Sequence, residues 1–148
     1  MKWRIVAVGS PALRFAKDGA GEYLRRLKRF APVEAIFVKA SGSRDAVEER
    51  IRKAAHGCLI IALDERGDHL TTDEFRAKID AWELGGQVKD IAVLIGGADG
   101  HSAALREAAD LRLALSRMTL QHELALIVFL EQLYRAYTIK AGEPYHRP

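Results

Sequence analysis

The sequence predicts an α/β domain built on a mainly parallel sheet of five to six strands flanked by helices. Three observations point there. Strand-like and helix-like apolar patterns alternate through all 148 residues, five of each. Two strand-like runs, Cys58 to Leu63 (CLIIAL) and Asp90 to Ile95 (DIAVLI), are almost uninterrupted apolar stretches, as expected of strands covered on both faces. Glycine and proline punctuate the boundaries, and no stretch reads as a linker, a repeat or a low-complexity tract. A single domain over residues 1–148 is expected.

Residues 2–8 (KWRIVAV) read as a buried first strand closed by Gly9-Ser10-Pro11. A helix follows over about 13–30, and Glu34 to Val38 reads as the second strand. Ser43 or Asp45 can cap the next helix, with Glu48 at capping-box spacing from Asp45, and Gly57 stops it. After the strand at 58–63, the polar run DERGDH (64–69) reads as a loop. Thr71 and Glu74 mark the next helix start, and Phe75, Ile79 and Trp82 give that helix an apolar stripe. Gly85-Gly86 ends it.

The strand at 90–95 runs into the glycine-rich turn 96–100. A short helix over about 102–109 leads to a fifth strand, Leu111 to Leu115. The loop Ser116 to Thr119 then opens the longest helix, about 120–140, with Thr119 as its expected N-cap. Gly142 and Pro144 stop that helix. Its first half, LALIVFL, is apolar on every side, so one face on a sheet does not account for it. Either a second subunit covers the remainder, giving a homodimer, or this is an edge helix with a few exposed leucines.

Composition narrows the function classes. The single Cys58 allows no internal disulfide, and no Cys/His cluster has zinc spacing, so no metal is expected. The longest apolar run, Leu124 to Leu130, is too short to span a bilayer, and the N-terminal run is too short for a signal peptide. A cytoplasmic protein is expected. The formal net charge of +3 hides an asymmetry: residues 1–60 carry 13 Lys/Arg against 6 Asp/Glu, and residues 61–148 carry 10 against 14. A basic half favours a polyanionic partner.

In open parallel sheets, ligands bind beyond the carboxyl ends of the strands. Three loops meet that condition, after Leu63, Ile95 and Leu115. Gly96-Gly97 either lets backbone approach a flat ligand or simply makes a tight turn. Its pattern is neither the dinucleotide GxGxxG nor a phosphate-cradling GxxxxGK[ST], and Ser116 lacks the GxSxG elbow of a hydrolase. Around Ser116 to Thr119, free backbone N–H groups at a helix start can bond an adenine edge or a carboxylate. Arg25, Lys28 and Arg29 share one helix face. In the tail, Tyr145, His146 and Arg147 pair an aromatic with two potential cations, which suits stacking on a base and contact with phosphate.

Four motifs in order resemble one family. LIGGADG (94–100), LSRMT (115–119), EQLYRAYTI (131–139) and GEPYHR (142–147) are similar to those of small SPOUT-class methyltransferases acting on a pseudouridine of large-subunit ribosomal RNA, the RlmH family. VAVG and GEYLRRLKRF (21–30) extend the resemblance over almost the whole chain. It implies S-adenosylmethionine as methyl donor, the pseudouridine N3 as acceptor, a C-terminal trefoil knot and a homodimer. The ribosomal partner is the large subunit or the assembled ribosome.

Carried over by position, the cofactor residues are Leu63, Gly96, Leu115, Ser116, Arg117, Met118, Thr119 and Leu120. The RNA-binding set is Arg25, Lys28, Arg29, Arg135, Tyr145, His146 and Arg147. His122, His146 and Glu131 are candidate acceptors of the imide proton. Two positions depart from the family pattern: Gln121 stands where proline is common, and Leu126 where arginine often occurs. Those departures leave the individual catalytic roles open. The competing class is a non-enzymatic dimeric α/β module that binds a nucleotide or RNA.

Overall fold

The computed structural model describes residues Met1–Pro148 and alternates five strands with five helices. They are β1 (Lys2–Val8), α1 (Arg14–Leu27), β2 (Val33–Val38), α2 (Arg44–Ala54), β3 (Leu59–His69), α3 (Thr72–Gly85), β4 (Asp90–Ile95), α4 (Ala103–Ala108), β5 (Leu111–Ala114) and α5 (His122–Lys140). The sheet runs β2-β1-β4-β3-β5 and every pairing is parallel. Alternation along β1 sends Trp3, Ile5 and Ala7 into a core shared with α1, α3 and α5. Val6 points the other way, into a smaller core with α2 and α4. The result is three layers. A buried Phe or Leu in such a core contributes roughly 1.5–3 kcal/mol.

Helix α5 lies between α1 and α3 on the larger core. That position accounts within one chain for Leu126, Phe129 and Leu130, which are buried there, while Ala125, Ile127 and Val128 are half-buried. A Cβ at Gly19 would sit 3.3 Å from Ile127, so α1 and α5 approach closely. Leu124 remains 37% exposed, as do Leu13 (40%) and Phe15 (57%) near the start of α1. No helix is long and apolar enough to cross a membrane.

Three local expectations are corrected. First, β3 does not stop at Leu63 but continues in extended form to His69. Leu113 of β5 pairs with both Leu63 and Asp68, so the residues between them arch out of the ladder. A Cβ at Gly67 would lie 2.6 Å from the Arg112 backbone, a crossing only glycine permits. Second, of the two candidate caps Ser43 does cap α2, but the Asp45–Glu48 capping box does not form, because Glu48 reaches away to accept from the Ser102 N–H at 3.1 Å. Third, α5 starts at His122 and its cap is Gln121, whose side-chain oxygen accepts from Glu123 and Leu124 N–H at 2.8 and 3.0 Å. Thr119 does not cap it. The capping box of Thr71 and Glu74 on α3 is present as expected.

Two polar groups tie the layers together. The Trp3 indole N–H donates to the Tyr137 hydroxyl at 2.8 Å, and that hydroxyl donates to Glu83 at 3.0 Å. Trp3 is fully buried, so Tyr137→Phe strands its N–H without a partner. Chemical denaturation should show a loss of about 1–3 kcal/mol.

The second is Glu123, buried at the start of α5, whose carboxylate accepts from the Ala12 and Leu13 backbone N–H groups. Burial alone would raise its pKa, but the two N–H groups and Gln121 outweigh it and hold the carboxyl below its ordinary value. A depressed folded-state pKa contributes stability that is complete above about pH 4.5 and drains away as pH falls below it. Melting followed from neutral pH into that acid range should therefore fall more steeply for the native protein than for Glu123→Gln.

Candidate functional site

The carboxyl ends of β3, β4 and β5 open onto one cleft of about 280 Å³. Leu63, Gly96, Leu115, Ser116, Met118, Thr119 and Leu120 line it, and Arg117 does not. Fold topology brings these distant segments together, because β3 is the neighbour of both β4 and β5. The Ser116 hydroxyl oxygen accepts from the Met118 N–H at 2.9 Å and shapes the loop after β5. Thr119 donates its hydroxyl to Glu65, which clasps that loop to the arch in β3.

At Gly96, the space a Cβ would need is taken by the Gly100 backbone, 3.0 Å away. The Gly100 N–H donates to the Gly97 carbonyl at 3.0 Å, and Gly100 itself has a φ of 68°. The tight turn therefore dictates Gly96 and Gly100, and Gly96 lines the cleft as backbone.

Three carboxylates border the cleft, those of Asp64, Glu65 and Asp99. Asp64 has a side chain only 8% exposed and lies 3.4 Å from both Arg66 and Arg106. His101, which sequence reasoning missed, is buried in the wall and donates its Nε2–H to the Leu94 carbonyl at 3.0 Å. Burial pushes its pKa down and keeps the ring neutral, so Nδ1 is left as an acceptor. The only sequence signal for it was a histidine directly after the glycine turn.

The three proton-acceptor candidates do not meet. His122 lines a second cavity, on the other side of the segment 96–101, rather than the cleft. Glu131 lies nine residues further along α5, roughly 13 Å along the axis. Its carboxylate accepts from Arg135 at 2.6 and 3.0 Å, from the Tyr145 hydroxyl at 3.1 Å and from Gln132 at 2.8 Å. His146 Nδ1 accepts from Arg135 at 3.3 Å.

The tail is thus docked on α5. The Tyr145 ring packs edge-on against Tyr134 with centroids 4.9 Å apart, and the Arg135 guanidinium lies 4.7 Å over it. Burial raises the Tyr145 pKa and keeps the hydroxyl protonated as the donor to Glu131.

On α1 and just beyond it, two of the three basic side chains are occupied. Arg25 pairs with Glu22 at 2.8 Å. Arg29 grips Glu143 through two bonds of 2.6 and 2.7 Å, which pins the segment before Tyr145. Lys28 and Arg147 are exposed and project to solvent.

Comparison with known proteins covers the whole chain. A family model described as "Predicted SPOUT methyltransferase" matches residues 1–146. The ribosomal RNA large subunit methyltransferase H of Thermus thermophilus is 49% identical over 148 residues, covering 100% of both chains. That of Deinococcus radiodurans is 43% identical over 147 residues, covering 99% of each. Among solved structures, a probable methyltransferase from Bordetella pertussis superimposes with a TM-score of 0.62 at 17% identity, over 92% of this chain and 93% of that one, and so shares the fold.

Proposed function

The chain belongs to the SPOUT methyltransferase family, and from that membership we propose that it methylates large-subunit ribosomal RNA with S-adenosylmethionine, at N3 of a pseudouridine. The observation that carries this reading is the convergence of the loops after Leu63, Ile95 and Leu115 on one cleft, in a chain that matches ribosomal RNA methyltransferases end to end. The lining fits the cofactor. Leu63, Leu115 and Leu120 offer apolar walls to an adenine, and Glu65 and Asp99, which no cation neutralises, suit a ligand with a sulfonium and an ammonium group. When bound, the cofactor supplies an already activated methyl group. The chain's own task is to align acceptor and donor and to take the imide proton.

No proton-acceptor candidate of one protomer lines its own cleft, and the tail is held well along α5 from it. The tail of a second protomer can reach where its own cannot, so the reading includes a homodimer with sites shared across the interface. The exposed Leu13, Phe15 and Leu124 support it, since Glu123 draws the starts of α1 and α5 together. Sedimentation at micromolar concentration should give twice the 16.4 kDa chain mass. A clean monomer would remove the dimer. The C-terminal trefoil knot that the family resemblance implies is part of the same reading.

The protein is proposed to act in the cytoplasm. Labelled donor offered with free ribosomal RNA, isolated large subunits or assembled ribosomes tests the assignment and names the substrate. Incorporation into at least one is expected, and incorporation into none would sink it.

A further inference from the structure

The second cavity, of about 320 Å³, is used by nothing described so far. It sits outside the carboxyl ends of β1 and β4, between Val8 and the segment 96–101. From β1 the chain turns through α1 to β2 on one side, and from β4 it turns through α4 to β5 on the other. The crevice between β1 and β4 is therefore the switch point of the sheet, where open α/β folds bind ligands. The proposed methyl donor lies elsewhere, beyond β3, β4 and β5.

The cavity has the parts of a nucleotide site. Val8, Val47 and Ile51 give it an aliphatic floor against which a base can lie flat. At the mouth stand His122 and Arg44, and the exposed Arg44 guanidinium has no carboxylate partner. The loop that forms the far wall is braced by Arg50, which donates to the Lys39 and Ser41 carbonyls at 2.8 and 2.6 Å. In the shared wall, His101 is fixed by Leu94 with Nδ1 left to accept. The aliphatic floor is joined by acceptors, His101 and the Glu48 and Asp99 carboxylates, that can take the N–H groups of a base edge, and Arg44 is the one cation placed for its phosphate.

We propose that this cavity holds one unstacked nucleotide of the RNA substrate, the neighbour of the one that is methylated, with its phosphate on Arg44. Residues 96–101 line both cavities, so a nucleotide held in the second lies next to the cleft assigned to the donor, as the neighbour of the methylated one would. This rests on the RNA methyltransferase reading given above.

Val47→Trp fills the floor, and Arg44→Glu reverses the charge at an exposed position outside the packed core, so the second variant keeps the test informative if the first misfolds. Calorimetry with S-adenosylmethionine should give affinities within twofold of the native protein for both. Methylation should show KM for ribosomes raised at least tenfold, with kcat at saturating ribosomes within a few-fold. An unchanged KM for a folded Arg44→Glu overturns the proposal. So does micromolar binding of uridine monophosphate with ribosome KM unmoved, which would assign the cavity to a free nucleotide. A native protein that methylates no ribosomal substrate would overturn the parent reading instead.

Discussion

Deleting residues 145–148 should abolish methylation of ribosomes, by at least a hundredfold, and leave S-adenosylmethionine affinity within a few-fold. The cleft proposed to hold the donor draws no lining from the tail, so donor binding has no reason to change. What the deletion removes is an ordered platform. Tyr145 is held between Tyr134 and Arg135 with its hydroxyl on Glu131, and His146 shares Arg135. Arg29 and Glu143 anchor the chain just before it. Such anchoring fixes an aromatic face and leaves the exposed Arg147 free for phosphate, the combination that RNA binding uses. Folding should survive with a small loss of stability, since Tyr145 is half-buried and packs at the edge of the larger core against Tyr134. A truncated protein that methylates at the intact rate would leave the tail without a role.

Ala125→Trp should remove donor binding almost entirely. Ala125 lines the cleft from the first turn of α5 and is half-buried, so an indole there grows into the cleft from a regular helix. Calorimetry should show affinity for S-adenosylmethionine reduced at least tenfold, a loss of about 1.4 kcal/mol or more, in a protein that melts as a single folded species. Gly96→Val makes a poorer probe. Its Cβ would meet the Gly100 backbone at 3.0 Å, so any loss of binding would report a deformed turn as well as a blocked cleft. Unchanged affinity in Ala125→Trp would place the donor elsewhere.

The sheet and its helices were legible in the sequence because apolar periodicity and glycine stops encode them directly. CLIIAL and DIAVLI became β3 and β4, and the helix stops at Gly57 and at Gly85-Gly86 hold to within a few residues. The strand-end cleft was legible for the same reason, since loop positions follow from strand positions in a parallel sheet. What stayed hidden depends on tertiary pairing. The extension of β3 over DERGDH has no apolar pattern, because backbone pairing with β5, the bare Gly67 and the long-range contacts of Asp64 and Glu65 hold it there.

Gln121 replaced Thr119 as the cap of α5 because Thr119 is drawn across to Glu65, a contact no local pattern announces. Glu123 looked like an ordinary first-turn carboxylate, and its bonds to Ala12 and Leu13 cross more than a hundred residues. Leu126, a departure from the pattern the resemblance implies, is buried in the core. The place of α5 between α1 and α3 explains three of the seven residues of its apolar run, Leu126, Phe129 and Leu130.

The most direct test is to incubate the purified protein with S-adenosylmethionine and ribosomes lacking the modification, digest the large-subunit RNA to nucleosides and separate them by mass. The account predicts one new nucleoside, a pseudouridine heavier by a single methyl group placed on N3, which appears only when donor and active protein are both present. RNA that comes back unmodified, or a methyl group found on another base or on protein, would contradict it.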